Sequence, residues 1–368
     1  MRKVLFMINS LKGGGAEKLL TDILRNLPAA LYDITVLTFS PGGLYEKAIP
    51  DNVKHKFLFQ EKDRWSWLKL RIIAFILPPT LAYKLCIKDE YDVEVAFLEG
   101  PVTRIISGSS NKHAKKYAWV HYDLYTNFAT RKLFLTTKGQ VDCYKKYNQV
   151  ICVSNNTEQA FVKRFGETHN TVVRYNFIDN EDIDKKVIEV VPDYTRKGQM
   201  LFISVGRLVP AKGFDRLIRA YGKLKKEGYE FQAAILGEGK EKSQLEQLIG
   251  EYDLGENVHL LGFVNNPYPI IKQADAFILS SRYEGYGLVI AEAMYLGIPV
   301  IATNCEGAKD ILKNGKYGMV VENSTEGIYN ALNSIMDNPS TLHKYNMALR
   351  VKDFLKNKRM KEIEELFI

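Results

Sequence analysis

Three side chains in the second half of the chain sit beside glycine after an apolar run, and with a fourth in the helix that follows their types suit chemistry on an anionic polyol. In SSRYEGYGLVIAEAMYLGIPVIAT, Glu284 lies in a glycine-containing loop and Glu292 in the helix that follows. A carboxylate accepts from two vicinal hydroxyls at once, so the pair suits a sugar or ribose. Between them Gly287, Leu288 and Val289 open the helix and offer backbone N–H groups that have no partner inside it. In ISVGRLVPAKGFDRLIRAY, Gly206 closes an apolar run, and Arg207 and Lys212 follow before a helix starts at Gly213. Two cations at the carboxyl end of a strand can clamp a diphosphate through charge-assisted hydrogen bonds, each worth roughly 1.5–3 kcal/mol. Helix-surface glutamates and solvated lysines are the plainer alternative, but strand-end placement argues against it.

The first half carries a second candidate. NSLKGGGAEKLL puts Gly13, Gly14 and Gly15 at the start of a helix after an apolar run. Such glycines let backbone N–H groups approach a phosphate, although a plain tight turn has the same composition. Lys18 stands where G-x-G-x-x-G needs its third glycine, and Phe39-Ser40-Pro41 replaces the ribose-binding acid at the end of the second run. That argues against a dinucleotide cofactor.

These turns need strands to hold them. Apolar runs at 4–9, 34–39, 93–98, 117–121, 150–154 and 172–176, then at 201–206, 232–237, 258–263, 276–281, 299–303 and 319–322, are separated by helix-length segments. Short apolar runs spaced in this way predict parallel sheets covered on both faces. The fold class is therefore α/β. The expected division is a Rossmann-like acceptor domain at 1–178, a charged linker at 179–199, a donor domain at 200–350, and a terminal helix at 351–368 that packs back on the first domain.

With the motifs in this order, the chain resembles the retaining glycosyltransferases of family four, group 1, including those that build bacterial cell-surface polysaccharides. The resemblance rests on EGYGLVIAEAMYLGIPVIA with its Glu-x7-Glu spacing, on VGRLVPAKGFDRLI, HLLGFV and GGGAEK, and it spans nearly the whole chain. It implies a GT-B fold, two Rossmann-like domains whose parallel sheets face a central cleft. It implies transfer from a nucleotide-sugar, UDP-linked, to a glycan or polyprenyl-pyrophosphate-linked acceptor with retention at the anomeric carbon. Arg207 and Lys212 would bind the diphosphate, Glu292 the ribose and Glu284 the transferred sugar. Backbone at Phe263 and Val264 would hold the base, and the amides of Leu288 and Val289 the distal phosphate. His121, in AWVHYDLY, matches the histidine near the reacting carbon; a satisfied core histidine is the alternative. Gly14, Gly15, Gly206 and Gly287 complete the donor site. The chain departs from the family pattern at Asn304-Cys305-Glu306-Gly307, where relatives carry a glycine pair, and at NFID (176–179), where NGVD is common.

Cations and helix N-termini stabilise a leaving diphosphate without metal, so no cofactor is expected. The D-x-D at Asp182 and Asp184 falls in the expected linker and is given no metal role. A nucleotide-sugar-binding protein without turnover and a dinucleotide-dependent oxidoreductase are the competing classes. Stabilisation by UDP without sugar release would mark the first, and stabilisation by NAD the second.

Charge is uneven along the chain. Residues 1–176 hold 26 Lys+Arg against 16 Asp+Glu, net +10, and residues 177–368 hold 25 against 27, net −2, which together give the chain's +8. A basic first half suits an anionic partner, either a phospholipid surface or a pyrophosphate-bearing acceptor. No nucleic-acid motif appears. Four cysteines without metal-ligand spacing suit a reducing cytoplasm, with the inner face of the membrane as a peripheral site. The segment 65–85, WSWLKLRIIAFILPPTLAYKL, allows two readings: a segment lying in a membrane interface, or a buried helix of the first domain.

Overall fold

The structure is a computed structural model that describes residues 1–60, 63–125, 130, 133–134, 136–166, 170–189 and 199–367. The chain forms two compact units, Met1–Asn176 with Asn357–Ile368, and Phe177–Lys356. In the first, strands β1 (Arg2–Met7), β2 (Tyr32–Thr38), β3 (Lys54–Phe57), β4 (Val93–Ala96), β5 (Lys115–Val120), β6 (Gln149–Cys152) and β7 (Thr171–Val173) form one sheet in the order β3-β2-β1-β4-β5-β6-β7. In the second, β8 (Met200–Val205), β9 (Phe231–Leu236), β10 (Val258–Gly262), β11 (Ala276–Leu279), β12 (Val300–Thr303) and β13 (Met319–Val321) form another in the order β10-β9-β8-β11-β12-β13. Every pairing is parallel.

Each expected apolar run overlaps a strand, because a strand covered by helices on both faces must be apolar along its length. Val4, Leu5 and Phe6 of β1 are at most 1% exposed. The strand that sequence reading missed is β3, whose KHKF alternates exposed and half-buried residues. It pairs only with β2 at the sheet edge, where charge rather than apolar continuity guards the open side.

Both sheets reverse their winding at the centre. The chain steps outward from β1 through β2 and β3, then returns to β4 on the other side of β1; β8 and β11 repeat the arrangement. Loops that leave neighbouring strands at such a reversal diverge to opposite faces and open a crevice at the carboxyl ends.

The expected linker at 179–199 is in part something else. The Asp179 side chain caps a helix, Asn180–Lys186, that belongs to the second unit. Asp182 pairs with Lys186 at 2.7 Å, the Tyr295 hydroxyl donates to Asp184 at 2.8 Å, and Asn266 Nδ2 donates to the Lys186 carbonyl at 2.8 Å. The local ion pair and the contacts with residues 266 and 295 fix this segment, so its charge does not signal a free connection. Residues 190–198 of that range lie outside the described residues. The chain crosses between units at 176–177 and again at 356–357. The helix Lys356–Phe367 carries the second crossing, and its Phe367 ring meets Phe6 at 5.8 Å and Tyr32 at 6.0 Å in the first unit.

Candidate active site

In the second unit, β8 and β11 are neighbours at the reversal, and their loops bring Gly206, Lys212, Glu284 and Gly287 together. The residues after β8 fold into a 3-10 turn, Pro210–Lys212, closed by Gly213 in the left-handed region at φ 65°. Only glycine fits there, since a Cβ would lie 2.3 Å from the Ser280 carbonyl oxygen. The Lys212 side chain runs back over Gly206, where an added Cβ would touch its methylenes at 3.4 Å, and its ammonium pairs with the Glu284 carboxylate. Both side chains remain about one-fifth exposed, so the pair is reachable from solvent. Gly287, at φ 80°, caps the helix Leu288–Tyr295 without any side-chain hydrogen bond to its first N–H groups.

A brace that sequence reading missed fixes these two loops. Arg282 is bidentate to Asp215 at 2.7 Å through both nitrogens, donates to the Pro210 carbonyl at 2.8 Å, and its backbone N–H donates to the Ala211 carbonyl at 2.8 Å. Burial alone would raise the Asp215 carboxyl, but the guanidinium overrides it and holds the group below its ordinary value. Two glycines were missed as well. A Cβ at Gly237 would lie 1.9 Å from the Gly206 carbonyl oxygen, and one at Gly307 would lie 2.7 Å from that of Glu284. LGEGK after β9 carried a readable signal for the first. The second stands in the segment that departs from the family pattern.

The other expected donor residues are spread around this centre. Arg207 is exposed at the end of β8, and among the described residues no ion pair holds it. Phe263, 40% exposed, and half-buried Val264 follow β10. Glu292 is buried in its helix, where the Tyr268 hydroxyl donates to it at 3.3 Å.

In the first unit, Gly14 caps the helix Gly15–Asn26 with no side-chain hydrogen bond, beyond the end of β1. His121 follows β5 and is 6% exposed, with its ring 5.1 Å from that of Phe97. Burial lowers its pKa from 6.5 to about 3, although a hydrogen bond at the Phe97 backbone works the other way. The imidazole is therefore neutral at physiological pH, and its Nε2 is buried with no partner among the described residues. Sequence reading missed its neighbour Glu99, in the loop after β4. The Glu99 carboxylate accepts from the backbone N–H groups of His121 and of Tyr122, the latter at 2.7 Å, and burial raises its pKa to about 7. Its Oε2 is likewise buried without a partner among the described residues.

No group of three His, Cys, Asp or Glu among the described residues could hold a metal ion. All four cysteines are free and buried, and burial raises each thiol, which removes them as nucleophiles.

The family model for glycosyl transferases group 1 matches residues 190–351, and the model for Glycosyltransferase Family 4 matches 13–182. An uncharacterised glycosyltransferase of Methanocaldococcus jannaschii is 30% identical over 310 residues, covering 75% of this chain and 74% of its own. The chain belongs to the group 1 glycosyltransferases. This glycosyltransferase is also 28% identical, over 96% of its length and 95% of the relative's, to the Campylobacter jejuni N-acetylgalactosamine-N,N'-diacetylbacillosaminyl-diphospho-undecaprenol 4-alpha-N-acetylgalactosaminyltransferase. The crystal structure of Anabaena HepE with UDP and glucose superposes with a TM-score of 0.77 at 22% identity, covering 100% of this chain and 99% of that one. The glycosyltransferase thus has the GT-B fold.

Proposed function

We propose that the enzyme transfers a hexose or N-acetylhexosamine from a UDP-linked donor to a lipid-linked glycan acceptor, with retention at the anomeric carbon. One observation carries the donor half of this reading: Lys212 and Glu284 form an ion pair at the β8–β11 reversal, beside an uncapped helix N-terminus. A cation for phosphate and a carboxylate for sugar hydroxyls stand in contact where a nucleotide-sugar presents both. When the donor enters, the Lys212 ammonium turns to the diphosphate and frees Glu284 for the sugar. Arg207 and the amides of Leu288 and Val289 share the phosphate charge, Glu292 takes the ribose, and backbone at Phe263 and Val264 takes the base.

As the bond from the anomeric carbon to the phosphate oxygen breaks, its electron pair goes to the diphosphate, which these groups stabilise. The leaving phosphate then accepts the acceptor hydroxyl proton as the acceptor oxygen bonds to the anomeric carbon. His121 is assigned to the transferred sugar as a neutral imidazole, with Glu99 fixing the backbone beneath it. The acceptor class follows the C. jejuni relative, whose name carries a diphospho-undecaprenol group.

A screen of nucleotide-sugars for nucleotide release tests the reading. UDP-sugars should be turned over with EDTA present, and Lys212→Ala and Arg207→Ala should each lower kcat/KM by about ten- to a hundred-fold. The anomeric coupling constant of the product reports retention. Release that needs added Mn²⁺, or two alanine variants with unchanged kcat/KM, would sink the metal-free cationic clamp.

A further inference from the structure

The segment 65–85 packs only part of itself into the first unit. It forms a helix, Arg64–Arg71, that runs into a π-helical turn, Ile72–Ile76, and is followed after Pro78 by a second helix, Pro79–Cys86. Along the first stretch Ser66, Leu70, Ile73, Ala74 and Leu77 are buried or half-buried, at helical spacing. The opposite stripe is Trp65, Leu68, Ile72, Phe75 and Ile76, and it is turned to solvent: Trp65 is 69% exposed and Ile76 72%. Trp67, 59% exposed, lies beside it under the Arg71 guanidinium at 4.8 Å. The second helix adds exposed Leu81 and Leu85. The buried-helix reading therefore fails for this face.

The face is anchored rather than frayed. Arg104 donates to the Leu77 carbonyl at 2.6 Å, and the Tyr83 hydroxyl donates to buried Glu94 at 2.6 Å. Gly108 lies so close to Pro79 that an added Cβ would come within 1.9 Å of its carbonyl oxygen. A fixed apolar surface of this extent marks a partner.

Charge identifies the partner. Residues 64–88 contain five cations, Arg64, Lys69, Arg71, Lys84 and Lys88, and no Asp or Glu. All five are exposed. Of the flanking acids, Asp63 accepts from the Ser66 N–H at 2.6 Å, and Asp89 pairs with Lys56 at 2.6 Å. Exposed Trp, Leu, Ile and Phe ringed by exposed Lys and Arg match an anionic lipid surface, where rings and aliphatics enter the headgroup boundary and cations meet phosphate. No helix among the described residues is long and apolar enough to cross a membrane, so this contact is superficial. We infer that the first unit docks on an anionic bilayer through the outward faces of the helices Arg64–Arg71 and Pro79–Cys86. The inference stands on this surface alone and does not depend on the donor assignments.

The chain's three tryptophans are Trp65, Trp67 and Trp119, and Trp119 is 1% exposed, so changes in indole emission report the docking face. With the full-length protein at low salt, vesicles of phosphatidylcholine with phosphatidylglycerol should shift the emission to the blue and co-float the protein. Pure phosphatidylcholine vesicles should do so at least ten-fold more weakly. Trp65→Ser with Trp67→Ser, read by flotation, and separately Lys69→Glu with Arg71→Glu, should each lower vesicle partitioning ten-fold or more. Every changed side chain is exposed, and nucleotide release with a soluble acceptor should stay unchanged. Absence of flotation at low salt overturns the inference. So does a wild-type dimer in sedimentation that the Trp variant dissolves without any vesicle binding, since a second copy would then cover the face.

Discussion

Glu99 and His121 titrate in opposite senses, which makes their roles separable. Glu99 ordinarily ionises near 4.5 but near 7 in the folded protein, so between those values the folded state holds a proton that the unfolded chain has released. Its contribution to stability is complete below about 4.5 and is lost as pH rises through about 7. His121 ordinarily titrates near 6.5 but near 3 in the fold, so its contribution is lost as pH falls below 6.5. The two slopes oppose each other between pH 4.5 and 6.5, so the contributions of these two groups largely cancel there. Glu99→Gln keeps an acceptor for the His121 and Tyr122 amides and removes one titration. Relative to wild type, the variant should gain stability from pH 4.5 to pH 8, by an upper limit of roughly 3.5 kcal/mol at about 1.4 kcal/mol per pK unit. Urea unfolding at pH 4.5, 6 and 8 measures it. A difference that does not move with pH would return Glu99 to an ordinary ionised carboxylate.

At the scale of elements, the donor loops depend on glycines whose surroundings differ, and alanine substitution separates them. Gly213 holds a left-handed conformation against the Ser280 carbonyl, so alanine there costs about 1–2 kcal/mol in backbone strain plus the clash. The turn Pro210–Lys212 must shift, and Gly213→Ala should raise donor KM while lowering stability. Gly250, inside the helix Lys242–Glu251, has an ordinary backbone and open space where a Cβ would go. Gly250→Ala should raise stability by roughly 0.5–1 kcal/mol and leave KM alone. Steady-state kinetics and thermal melts of the two variants decide it, and equal behaviour would show that Gly213 does not position Lys212.

At the scale of the whole chain, the double crossing makes the first unit depend on residues far away in sequence. Phe367 is fully buried among Phe6, Tyr32 and Tyr117, and the Leu366 carbonyl accepts from the Tyr117 hydroxyl. Removing a buried ring costs about 3–5 kcal/mol. Since every tryptophan lies in the first unit, Phe367→Ala should move the fluorescence-detected urea transition to lower denaturant and reduce the unfolding free energy read from it by that amount. An unmoved transition would mean that the terminal helix is not part of that unit's core.

Much of this was legible in the residues because it is local. Twelve strands could be read as continuous apolar runs, since a strand covered on both faces has no polar side to show. The strand-end residues Lys212 and Glu284 could be read because glycine beside charge, where an apolar run stops, leaves few other uses. What pairs across sequence distance could not be read. Glu99 follows one strand, and the amides it holds follow the next, 22 residues on. Asp215 meets its arginine 67 residues later. β3 carries no apolar run because a sheet edge asks for none. The hydrophobic segment 65–85 reads alike as core or as surface, because composition states how apolar a helix is and not what covers it. That was decided by the tertiary structure: it spends one stripe of the segment on the first unit and leaves the other, with both exposed tryptophans, facing outward.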